Sequence, residues 1–139
     1  MEIERIFEHA KHEVFEDGYD SVFSRDIEDL IYNKNAVREV VEYVRTYLQS
    51  ERKNSEVASE ALRVLGRIEH EPSRSIRLRL LTESLSHNSY WVRDGATIGI
   101  SSMEDVAAIP YLEEAAKCEK EQSLMEYMFL TAKELRDGE

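Results

Sequence analysis

Two stretches of this chain match each other at an offset of about 35 residues, and that internal repeat restricts the fold more than any other feature. Ser55-Glu56-Val57-Ala58-Ser59-Glu60-Ala61-Leu62-Arg63-Val64-Leu65-Gly66 lies over Tyr90-Trp91-Val92-Arg93-Asp94-Gly95-Ala96-Thr97-Ile98-Gly99-Ile100. Val57 falls on Val92, Ala61 on Ala96 and Leu65 on Ile100. A four-residue spacing puts each triplet on one face of a helix. The central Ala lets two helices approach closely, and the flanking Val and Leu or Ile fill the seam between neighbouring units. A weaker third copy lies around Leu124 to Leu130.

The rest of the chain agrees with a helical reading. Apolar residues recur at three- and four-residue spacing in nearly every segment, and two prolines and five glycines are the only strong breakers in 139 residues, so strands have little room. A first helix is predicted from Ile3 to Phe15, with Ile3, Ile6, Phe7, Ala10 and Val14 on one stripe and its end before an Asp17-Gly18 turn. A short helix follows over Ser21 to Ile31, although the residue three after Ser21 is Ser24 and not the acid of a capping box. Val37, Val40, Val41, Val44, Tyr47 and Leu48 mark the next helix, and Ser55 is placed to cap another that runs to about Ile68. Pro72 is predicted to open a helix containing Ile76, Leu78, Leu80, Leu81 and Leu85, followed by one from Tyr90 to about Ser101. A last pair begins near Val106, breaks around Lys120 and closes from Gln122 to about Leu135.

The run Leu85-Ser86-His87-Asn88-Ser89-Tyr90-Trp91-Val92-Arg93-Asp94-Gly95-Ala96, with Ile109-Pro110-Tyr111-Leu112 after it, resembles the HEAT-repeat pattern in its compact bacterial form. The resemblance covers roughly residues 36–137, with residues 1–35 as an N-terminal helical cap of one domain spanning 1–139. It departs from the pattern twice: Val57-Ala58 stands where valine-arginine is expected, and the third copy has no such pair. The fold implied is all-α, a short α-solenoid of about three HEAT-like helix pairs whose second helices line one face. Such surfaces usually bind proteins, and the fold alone does not choose the partner. By the same resemblance Arg93 is expected to pair with an acid of an adjacent repeat, leaving Asp94 exposed beside it.

Charge narrows the functional classes. The net charge is −11, carried as 10 acids and 3 bases over residues 1–30, 7 and 10 over 31–80, and 12 and 5 over 81–139. Such a balance repels a phosphate backbone, so nucleic acid is an unfavourable partner and a basic protein a favourable one, although net charge also simply confers solubility. No apolar run reaches the roughly 18 residues that suggest a membrane span. The first residues lack the basic and apolar regions of a secretory signal, so a cytoplasmic location is expected. The one cysteine, Cys118, agrees with that and reads as a small apolar residue on a helix.

Constellations that carry chemistry are sparse. His9, His12, Glu13 and Glu16 would share a face if the first helix ran that far, but no second histidine pair supports a metal site. His70 and His87 fall at inter-helix turns and read as surface residues. There is no nucleophile elbow and no phosphate-cradling glycine loop. The expectation is a non-enzymatic module with no cofactor, no metal and no catalytic residue. Its partner-binding residues are expected to be Trp91 with Tyr90, the acids Glu56, Glu60 and Asp94 facing outward on the second helices, and Glu126 and Tyr127 on the last pair, with a place in the core as the alternative for Trp91. The N-terminal acids Glu16, Asp17, Asp20, Asp26, Glu28 and Asp29 form a second candidate surface. An immunity protein or inhibitor of a toxin suits the small size and acidity. The alternatives are a scaffold or maturation subunit of a larger enzyme and a helical-repeat DNA glycosylase, whose basic groove the charge opposes.

Overall fold

The computed structural model describes residues 2–16 and 20–138. Among the described residues there are eight α-helices and no strand: α1 (Glu2–Ala10), α2 (Val22–Tyr32), α3 (Val37–Gln49), α4 (Ser55–Arg67), α5 (Arg74–Ser84), α6 (Tyr90–Met103), α7 (Ile109–Cys118) and α8 (Gln122–Asp137). Their buried apolar side chains form one contiguous cluster to which every helix contributes. None of them is long and apolar enough to cross a membrane.

The first helix is shorter than its apolar stripe predicts. It stops at Ala10, and a turn closed by the Glu13 N–H donating to Ala10 O carries the chain away, so Ile3, Phe7 and Ala10 are buried while Val14 is exposed. The reason lies in Glu13, whose carboxylate accepts from the Val22 N–H at 2.7 Å and the Phe23 N–H at 3.1 Å. These are open donors at the start of α2, where a carboxylate also complements the helix dipole. Ser21 is the N-cap, and Ser24 takes the place of the missing acid. The Ser24 N–H donates to Ser21 Oγ at 2.9 Å, and the Ser21 N–H donates to Ser24 Oγ at 3.1 Å. The expected Asp17-Gly18 turn lies outside the described residues. Phe7 fixes the N-terminal pair to α3 by ring contacts with Phe23, Tyr43 and Tyr47 at centroid distances of 4.8–5.0 Å.

The caps of α4 and α5 differ from expectation. Asn54, not Ser55, caps α4, its Oδ1 accepting from the Glu56 and Val57 N–H groups at 3.0 and 3.1 Å. Pro72 lies in a 3-10 turn, Glu71–Ser73, that leads directly into α5. The buried positions of α5 are Arg77, Leu80, Leu81 and Ser84, whereas Ile76 and Leu78 are only partly buried. Arg77 is 1% exposed and donates to Leu65 O at 2.6 Å, His70 O at 2.8 Å and Ser73 Oγ at 2.8 Å. It thereby satisfies carbonyls at the C-terminal end of α4 and ties that end to α5.

Helices α4 and α6 run in the same direction and meet almost backbone to backbone, with Ser59 opposite Gly95 and Gly66 opposite Gly99. A Cβ on Gly66 would fall 2.1 Å from Gly99 O, and one on Gly95 would fall 2.7 Å from Ser59 O. No side chain larger than hydrogen fits there. The matched triplets Val57, Ala61, Leu65 and Val92, Ala96, Ile100 are all buried. In α8 the corresponding triplet is Leu124, Met128 and Ala132, all buried and 32 residues after Val92, Ala96 and Ile100. Its central methionine, where the other two helices carry alanine, explains why the third copy is faint in the sequence.

Turn residues are more engaged than their sequence positions suggest. His87 is half-buried. Its Nδ1 accepts from the Ser89 N–H at 3.0 Å, which leaves Nε2 as the protonated nitrogen that donates to Leu48 O at 2.9 Å. His70 is half-buried against Ser73. Cys118, read as a helix residue with an apolar role, is exposed at the end of α7.

Candidate functional site

Glu56, Ser59, Glu60 and Arg63 stand at i, i+3, i+4 and i+7 on α4, one face of that helix. Trp91, in the first turn of α6, and Phe15, from the segment after α1, flank the same face, and the six residues enclose a pocket of about 260 Å³. Of the expected binding residues, three come together here: Trp91, Glu56 and Glu60. The close crossing of α4 and α6 sets this spacing, because Gly95 brings the start of α6 against Ser59.

Each charged group in the pocket has a distinct environment. Glu60 was expected to face outward, but it is 6% exposed. Its Oε2 accepts from Ser21 Oγ at 3.4 Å and lies 3.7 Å from Arg67 Nη2. Burial pushes the Glu60 carboxyl above its ordinary value, with Arg67, Arg63 and Ser21 acting in the opposite sense. Asp94 is half-buried, not exposed, with its Oδ2 4.0 Å from Arg63 Nη2. Glu56 is exposed and has no ion-pair partner among the described residues.

Trp91 is 45% exposed, so it is no core residue, and it meets the exposed Tyr90 edge to face at 6.3 Å. Burial, then the carboxylates of Asp94, Glu121 and Glu119, hold the Tyr90 phenol above its ordinary range.

Glu126 and Tyr127 are not part of the pocket. Glu126 is exposed on α8, accepting from Gln122 Nε2 at 3.1 Å, and Tyr127 packs partly into the core. Of the second acidic surface, Asp29 holds Asn33 Nδ2 at 2.7 Å, and Asp17 lies outside the described residues. His9, His12, Glu13 and Glu16 lose their common face where α1 ends, and Glu13 is spent on α2. Among the described residues no group of three or more His, Cys, Asp or Glu side chains is placed to hold a metal ion.

Two features of the structure have no clear signal in the sequence. Ser59 is 2% exposed, lines the pocket and has no hydrogen-bond partner for its Oγ. Nothing in a lone serine on a repeat face signals this. A larger groove of about 830 Å³ runs between α5 and α7, with Leu85, Pro110, Tyr111 and Ala115 in its wall. Arg93 also lines it and donates to Glu119 through Nε at 2.7 Å and Nη2 at 3.0 Å, a forked pair whose carboxylate side chain is 1% exposed. Arg93 thus joins the start of α6 to the turn between α7 and α8.

No family model matches this chain, and no curated protein and no solved structure shows significant similarity to it.

Proposed function

We propose that this chain is a non-enzymatic protein-binding module that engages a basic or mixed-charge protein partner through the face formed by α4 and the start of α6. The carrying observation is a half-exposed tryptophan beside a pocket whose acids exceed its bases. Desolvating Trp91 against a partner would supply affinity, while the acids would steer a positively charged surface to it. In this reading α3–α4, α5–α6 and α7–α8 are HEAT-like pairs of a short α-solenoid capped by α1 and α2. The buried triplets at matched positions in α4, α6 and α8 support it. Inhibition of a basic toxin by an immunity protein is the use that the small size and net charge of −11 suit best.

Affinity capture from a native extract at low and high salt, with wild type and Trp91→Ala side by side, tests the proposal. One stoichiometric basic protein should be retained at low salt, released at high salt and lost with Trp91→Ala. The melting temperature of the variant should stay near wild type, because the side chain is half in solvent. Retention of nothing, or equal retention by both proteins, would overturn it.

A further inference from the structure

Among the described residues, four helices open with an N-cap whose own N–H is held by a side chain. In α2 the Ser21 N–H donates to Ser24 Oγ at 3.1 Å, and in α4 the Asn54 N–H donates to Tyr47 Oη at 2.9 Å. In α6 the Ser89 N–H donates to His87 Nδ1 at 3.0 Å, and in α8 the Glu121 N–H donates to Glu119 Oε2 at 3.1 Å. The residue three after Ser89 is Val92, which offers no acceptor, so His87 fills the place that a capping-box side chain takes in α2. Of the four acceptors, the imidazole is the one that changes from acceptor to donor by taking a proton between about pH 5 and 8.

His87 is held on its other side as well. Its Nε2 donates to Leu48 O at the end of α3 at 2.9 Å, and its backbone O accepts from Arg93 Nη1 at 3.2 Å. The ring therefore ties the end of α3 to the start of α6, and both bonds exist together only in the neutral Nε2–H form. A proton on Nδ1 sets two donors against each other across 3.0 Å, and the bond to Ser89 is lost. The charges around the ring do not offset that proton. Arg93 on α6 is engaged by Glu119, and Glu83 at the end of α5 is engaged by Arg45 on α3 and by Arg79. Glu114, Lys120 and Glu121 share the groove wall with His87, and among the described residues no acid forms an ion pair with the ring. We infer that His87 is an acid-sensitive latch: neutral, it caps α6 and fastens it to α3, and protonated, it frees the first turn of α6.

Nuclear magnetic resonance of the full chain labelled with nitrogen-15 tests the latch. At about pH 7.5 the His87 ring should be in the Nε2–H form and the Ser89 amide should be protected from exchange. On acidification to about pH 5.5, through the ordinary imidazole range, the Ser89 resonance should move with the titration of His87. Its protection relative to a free amide should fall at least about tenfold. An Nδ1–H ring at neutral pH, or a Ser89 amide that keeps its position and protection while His87 titrates, would overturn the inference. Melting temperatures give a second readout. The stabilisation is present at neutral pH and lost as the pH falls, because the folded state holds the ring neutral while the unfolded chain takes up the proton. His87→Asn places an amide oxygen near the position of Nδ1 and cannot titrate, and the three other histidines are common to both proteins. Between the same two pH values the wild type should therefore lose about 3 °C more than His87→Asn. An equal loss in both would also sink the latch, and the readouts at Ser89 decide the matter if the variant does not fold.

Discussion

Glu119 and Glu60 are both acids with buried side chains that reach across to another segment of the chain, yet they sit in opposite circumstances. Glu119 receives a forked pair of hydrogen bonds from Arg93 and a third from the Glu121 N–H at 3.1 Å. Glu60 has a 3.4 Å contact from Ser21, an Arg67 nitrogen at 3.7 Å and the unsatisfied Ser59 beside it on α4. Burial raises both carboxyls. At Glu119 the Arg93 and backbone hydrogen bonds overcome it and hold the group below its ordinary value, whereas at Glu60 burial wins and the group stays above. The difference separates an acid held by matched donors from one whose burial is only partly compensated.

The largest expected effect comes from removing the helix crossing on which the pocket depends. Gly66→Ala places a Cβ against the backbone of Gly99, where no side-chain rotation relieves it. A loss of about 3 kcal/mol is expected in denaturant unfolding. A loss below about 1 kcal/mol would mean that α4 and α6 separate easily and that the pocket is not held by their contact.

Glu119→Gln should cost about 2 kcal/mol near neutral pH, less than a fully buried pair because Arg93 keeps some solvent contact. The sign of its pH dependence follows from the lowered carboxyl. The stabilisation is present above the ordinary carboxylate range and fades as the pH falls through the folded-state value, so the wild-type and variant melting temperatures should converge in acid. A gap that persists there would show that the charge is not what Arg93 needs.

Glu60→Gln should have the smallest effect and the opposite sign. A carboxyl raised in the folded state contributes stability that is full below its ordinary value and lost as the pH rises through its folded-state value. At neutral pH the neutral side chain should therefore leave stability unchanged or raise it by up to about 1 kcal/mol. A clear destabilisation would place Glu60 with Glu119 and dissolve the contrast between them.

The helix positions were largely legible because burial repeats every three or four residues along the chain, as at Val40, Val41, Val44 and Leu48. The matched triplets of α4 and α6 were legible for the same reason. Helix ends were less so, since Glu13 and Asn54 act through where their carboxylate and amide fall in space. Arg77 escaped notice because a cation between Ile76 and Leu78 reads as a solvated position, while its burial depends on carbonyls that a different helix leaves open. In the pocket, Trp91, Glu56 and Glu60 could be named from residue type alone, but the burial of Glu60 could not.

By itself, the sequence determined that this chain is helical and that α4 and α6 present equivalent faces, because local periodicity encodes which side of a helix avoids water. Tertiary structure decided that those faces meet through Gly66, Gly95 and Gly99. It also decided that Glu119 is satisfied and that the Ser59 hydroxyl is sealed at the crossing without a hydrogen bond. A side chain's partners are set by distances between segments far apart in the chain, and no local pattern carries those distances.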